Sequence, residues 1–114
     1  MRQIINEKTV EMILETMKSV TRGKVLVDGS DVDFSLIEMM FRGATQAAEM
    51  IHDIDWMLSI TKIPRTHGDY QRMIAIKSEQ LRKLRAESLR LEACGMGEYL
   101  PEVITDILEV NIMN

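Results

Sequence analysis

Glu49-Met50-Ile51-His52 sets a carboxylate and an imidazole three residues apart, the spacing that carries both into the core of a carboxylate-bridged di-iron bundle. Such a centre needs a second Glu-x-x-His and two further glutamates on neighbouring helices. The other histidine, His67, has no glutamate three residues before it. At about 100° per residue Glu38, Glu49, His52 and Asp53 share one helical face, the kind of acidic face that could hold a hard cation such as magnesium. The later segment that would have to complete that site offers only Glu79, Glu87 and Glu92, spaced eight and five apart among Lys and Arg. A solvated polar face is the better account, and neither a metal nor a cofactor is expected.

Lys77, Arg82, Lys83, Arg85 and Arg90 are the candidates for a phosphate-binding face. Glu79 falls beside Lys83 and Arg90 on the helical wheel, and Glu92 near Arg85, so the face has mixed sign. Glu79–Lys83 has favourable i,i+4 spacing. Without helix-turn-helix spacing, a zinc pattern or interleaved aromatics, nucleic acid is not an expected partner. Pro64-Arg65-Thr66-His67-Gly68-Asp69 gathers polar groups in a break, yet Pro, Gly and Asp have turn-forming reasons to be there. Cys94 has no thiolate-stabilising neighbour and falls at a helix C-terminus, the wrong end to lower its pKa, so it reads as a small packing residue. No phosphate loop, nucleophile elbow or hydrolytic triad can be assembled, and the chain is not expected to be an enzyme.

The elements that would position these residues are helical. The first runs from about residue 6 to 20, with Asn6 as N-cap, Val10, Ile13, Leu14, Met17 and Val20 on one face, and Arg22-Gly23 as its end. Lys24-Val25-Leu26-Val27-Asp28-Gly29 is the one strand-like run, read as extended and able to pair with Gln3-Ile4-Ile5. Ser35 and Glu38 have the form of a capping box, with Asp31 or Asp33 as caps one turn earlier. From there to about Thr61, Ile37, Ala44, Ile51 and Leu58 recur every seven residues, with Met40, Ala47 and Ile54 as the matching series. Gly43, Ala44, Ala47 and Ala48 thin the middle for close approach of another helix.

Pro64 breaks the chain, and Asp69 is placed to cap a second long helix running to about Cys94 with Gly95 beyond its end. Tyr70, Met73, Ile74, Leu81, Leu84 and Leu91 form its inward stripe, interrupted by Lys77 and Ser88. A short helix follows Pro101, with Val103, Ile104, Ile107, Leu108 and Val110 as its apolar set. The expected fold is therefore all-α: one domain over residues 1–114, an antiparallel hairpin of two long helices flanked by shorter N- and C-terminal helices, joining an oligomeric bundle.

Composition agrees. Hydrophobic residues make up 46%, aromatics only 4%, and there are ten methionines, a core chemistry suited to packed helices rather than sheets. A formal charge of −4 gives no reason for attraction to nucleic acid or an anionic membrane. One cysteine, a start without a signal-length apolar run and the lack of any membrane-length apolar stretch lead to the expectation of a cytoplasmic protein. Charge is segregated: residues 62–95 carry 8 basic and 4 acidic side chains, and residues 96–114 carry 0 and 4.

Two helices of about 25 residues would each be roughly 40 Å long, more than the short helices can cover. Met39, Met50 and Met57 form a second apolar line on the first long helix, and Phe41, Ala48 and Trp56 add to the surplus. A symmetric dimer would bury it economically. The functional expectation is a non-enzymatic interaction protein, a regulator, inhibitor or assembly factor, acting on a macromolecular partner through Met39, Met50, Trp56 and Met57. The alternative is a small-ligand or nucleotide-binding protein with its pocket at the oligomer interface.

Overall fold

The computed structural model describes residues 5–21, 24–27 and 30–112. Four helices form the framework among the described residues: α1 (Glu7–Thr21), α2 (Phe34–Thr61), α3 (Gly68–Ala93) and α4 (Glu102–Ile112). A single 3₁₀ turn, Gly97–Tyr99, links α3 to α4. Between α1 and α2 lies a two-stranded antiparallel ribbon, β1 (Lys24–Val27) and β2 (Ser30–Asp33), with Val25 opposite Val32 and Val27 opposite Ser30.

β1 pairs with the segment that reads as helix-capping sequence, and of its expected partner Gln3-Ile4-Ile5 only Ile5 is described. Gln3 and Ile4 lie outside the described residues, as do Arg22 and Gly23. The Ile5 amide donates instead to Glu49 Oε1 at 2.8 Å. Asp28 and Gly29 also lie outside the described residues, but Asp-Gly after an apolar extended run is a hairpin signal in the sequence. Since α2 begins at Phe34, Asp33 rather than Ser35 stands immediately before its first turn.

Helix ends follow local chemistry. Asn6 Oδ1 accepts from the Lys8 amide at 2.8 Å, the bond of an N-cap to the second helical residue. α2 stops where Lys62 takes a left-handed φ of 51° and Pro64 follows. α3 is capped by His67, whose Nδ1 accepts from the Asp69 amide at 3.1 Å, and not by Asp69 as expected. Asp69 sits in the first turn, where a negative charge is favoured, and pairs with Arg72. At the other end Gly95 has φ 77°, and Met96 N–H to Leu91 O (2.8 Å) with Gly95 N–H to Glu92 O (2.9 Å) closes a Schellman motif.

α2 and α3 run antiparallel as a hairpin. Ile37, Ala44, Ile51, Met40, Ala47 and Ile54 are buried along α2, the two heptad series expected except for Leu58, which is half-buried. The inward stripe of α3 is also as expected, with Leu84 and Leu91 fully buried and Tyr70, Met73, Ile74 and Leu81 half-buried. Lys77 extends from that stripe to Asp55 on α2, 2.7 Å away. At Gly43 the approach is close enough that an added Cβ would touch the Glu87 carboxylate at 3.5 Å.

α1 covers the first half of α2, held by an Arg42–Glu7 ion pair at 2.7 Å as well as by the Ile5–Glu49 bond. The Glu7 hydrogen bond raises the Arg42 pKa above its ordinary value. Val10, Leu14 and Met17 of α1 and Ile104 of α4 complete the core with Phe41 and Leu84. Val20 and Val110, expected on the apolar faces of α1 and α4, are exposed, because both lie near helix ends beyond the core. The molecule is elongated, with extents of 50 × 28 × 21 Å and a radius of gyration of 15.9 Å, against about 13 Å for a compact chain of this size.

Candidate functional site

Burial is confined to one end of the hairpin. From residue 55 to residue 83 no residue is buried, although that stretch contains Leu58, Tyr70, Met73, Ile74 and Leu81 on the seam. The short helices and the 3₁₀ turn pack on the other end, so the hairpin projects past them as a bare two-helix arm. Along α3 the arm spans roughly 24 Å at ~1.5 Å per residue.

The four sequence-derived interaction residues all lie on α2. Met39 is 69% exposed, Trp56 48% and Met50 44%, while Met57 is half-buried. On a helix of 100° per residue the three methionines fall within about 20° of one another, over roughly 27 Å of axis. Trp56 lies about 100° away, beside Ile60, which is also exposed. The structure thus places the three methionines on one flank and sets Trp56 on the next. Phe41 and Ala48, counted in the apolar surplus, are buried in the core, so the short helices do cover part of it. Leu36 on α2 and Ile76 on α3 are exposed apolar residues not singled out from the sequence. Ile76 was legible there, as an isoleucine outside the inward stripe of its helix.

Of the residues with metal-ligand spacing, Glu49 holds the Ile5 amide, whereas His52 Nδ1 is buried without a hydrogen-bond partner, 3.8 Å from Asp53 Oδ1. Among the described residues no group of three His, Cys, Asp or Glu gathers as a ligand set. Cys94 is buried at the C-cap of α3. In the turn, Gln71 Nε2 donates to Arg65 O at 2.6 Å, and His67 is used as the cap.

On α3, Glu79 pairs with Arg82 rather than Lys83, and Glu87 with Arg90 at 2.8 Å. The Arg82 guanidinium holds the Glu79 carboxyl below its usual range, and its own pKa is raised in return. These i,i+3 pairs leave a mixed-sign face.

Two depressions mark the surface of α1. One of about 620 Å³ is lined by Lys8, Glu11, Met12, Glu15 and Thr16, all from that one helix. The other, about 260 Å³, is lined by Thr9, Met12, Ile13, Thr16 and Tyr99. Their linings are drawn from α1 and Tyr99, with no residue of the arm. Among the described residues no helix is long and apolar enough to cross a membrane. No family model, curated protein or solved structure matches this chain.

Proposed function

We propose that this chain is a non-enzymatic helical interaction protein, a regulator, inhibitor or assembly factor that works as a homo-oligomer and engages a macromolecular partner through the exposed apolar flanks of α2. The observation that carries the reading is the arm: residues 55–83 hold an apolar seam with no buried residue in it. A two-helix hairpin has no third layer to shield such a seam, and exposed apolar surface of this kind is typical of sites that meet another macromolecule. Methionine suits the task, because its unbranched, polarizable side chain adapts to irregular surfaces. Met39 and Trp56, at nearly 70% and 50% exposure, are the side chains best placed for a partner.

Light scattering across a range of protein concentrations tests the oligomer. A mass that is a stable multiple of the chain is expected, and a monomer at every concentration overturns that part of the reading. A thermal-shift panel of nucleotides and small metabolites tests the rest. The interaction reading expects no ligand-dependent rise in Tm, whereas a saturable rise would mark a small-ligand protein instead.

A further inference from the structure

The open face of the arm has a composition that selects its occupant. On α2, Met50, Asp53, Met57 and Ile60 fall within about 80° of one another, and on α3 Met73, Ile76, Gln80 and Lys83 do the same. Both sets open on one side of the hairpin. Gly43 shares its flank of α2 with Met50 and Met57, and it faces Glu87, which shares its flank of α3 with Ile76 and Gln80. Each helix therefore contributes apolar side chains edged by charge, and the two edges differ in sign. On that face α2 is edged by Asp53 and α3 by Lys83, while Asp55, Lys77, Arg72, Arg82 and Arg90 are already paired within the chain.

A twofold pair of hairpins can close a four-helix bundle in two ways. With the turns at opposite ends, α2 meets α2 and α3 meets α3, so like-charged edges adjoin. With the turns at the same end, each α2 lies against the α3 of the other copy, and acidic edges meet basic ones. We infer that the arm's occupant is a second copy of this chain, docked with both turns at the same end and α2 of each copy against α3 of the other. This inference rests on the oligomeric reading above and gives it a geometry.

The Lys77–Asp55 contact sets the relative level of the two helices, so Met57 and Ile60 of one copy stand opposite Met73 and Ile76 of the other. Asp53 comes within reach of Lys83 in the other copy. Such a pair covers the flank of Met50 and Met57 and leaves Trp56, about 100° away, outside it and free for a different partner.

Asp53→Lys and Lys83→Glu, studied by sedimentation equilibrium alone and as an equimolar mixture, test the arrangement, with helical circular dichroism as the folding control. Each variant alone places like charges together twice per dimer and is expected to weaken self-association by about tenfold. In the mixture the heterodimer regains both opposite-charge pairs, and its affinity is expected to return to that of the unaltered protein. Variants that self-associate as tightly as the unaltered chain would overturn the same-end arrangement while leaving the oligomer intact. An unaltered chain that stays monomeric would overturn the oligomeric reading itself.

Discussion

Leu81 and Leu84 stand three residues apart on the inward stripe of α3, yet Leu84 is fully buried and Leu81 only half-buried. Ile51 and Leu58, one heptad apart on α2, repeat the contrast. Residue type does not separate the two ends of the hairpin, since both use Leu, Ile and Met. The difference is the third layer. At the base, α1, α4 and the 3₁₀ turn close over the seam, and on the arm no described residue does. Equivalent side chains therefore stabilise the monomer unequally, and the apolar surface left on the arm is available to another molecule.

The largest expected effect separates these ends directly. Ile51→Ala should cost about 2–5 kcal/mol in a urea melt at monomeric dilution, and Leu58→Ala only about 1 kcal/mol, because a half-buried side chain forfeits less apolar burial and leaves no closed cavity. Equal costs would erase the distinction between base and arm. Gly95→Ala, at the closure of the base, should cost about 1 kcal/mol, because φ 77° is strained for any residue with a Cβ.

Ser88→Ala should raise stability by roughly 1 kcal/mol. Ser88 is buried in the base and its Oγ has no hydrogen-bond partner, so the change removes a desolvated hydroxyl. The smallest effect belongs to the arm's turn. Lys62→Gly relieves a left-handed residue and should raise Tm slightly, by the equivalent of about 0.5 kcal/mol, the relief of strain outweighing the added freedom of the unfolded chain.

Much of the framework was legible in the sequence because it is local or periodic. The heptads of α2, the stripe of α3, the Asn6 cap, the Pro64 break and Gly95 beyond α3 all reflect backbone and packing rules that act within a few turns. The ribbon was missed although Asp28-Gly29 announced it, because the same stretch is rich in capping residues and both chemistries use Ser and Asp. His67 replaced Asp69 as the cap for a similar reason: two acceptors two residues apart compete for one helix start. What periodicity could not convey was which apolar residues the short helices would cover. Phe41 and Met39 both lie off the heptad series, and only the docking of α1 and α4 buries the first and leaves the second exposed.

The central claim is that the arm is completed by a second copy. Hydrogen exchange read by mass spectrometry at several protein concentrations tests it most directly. Amides of residues 54–61 and 68–81 are predicted to gain protection as concentration rises, while those of residues 37–51 and 84–93 exchange at an unchanged rate. Arm protection that does not depend on concentration would contradict the account.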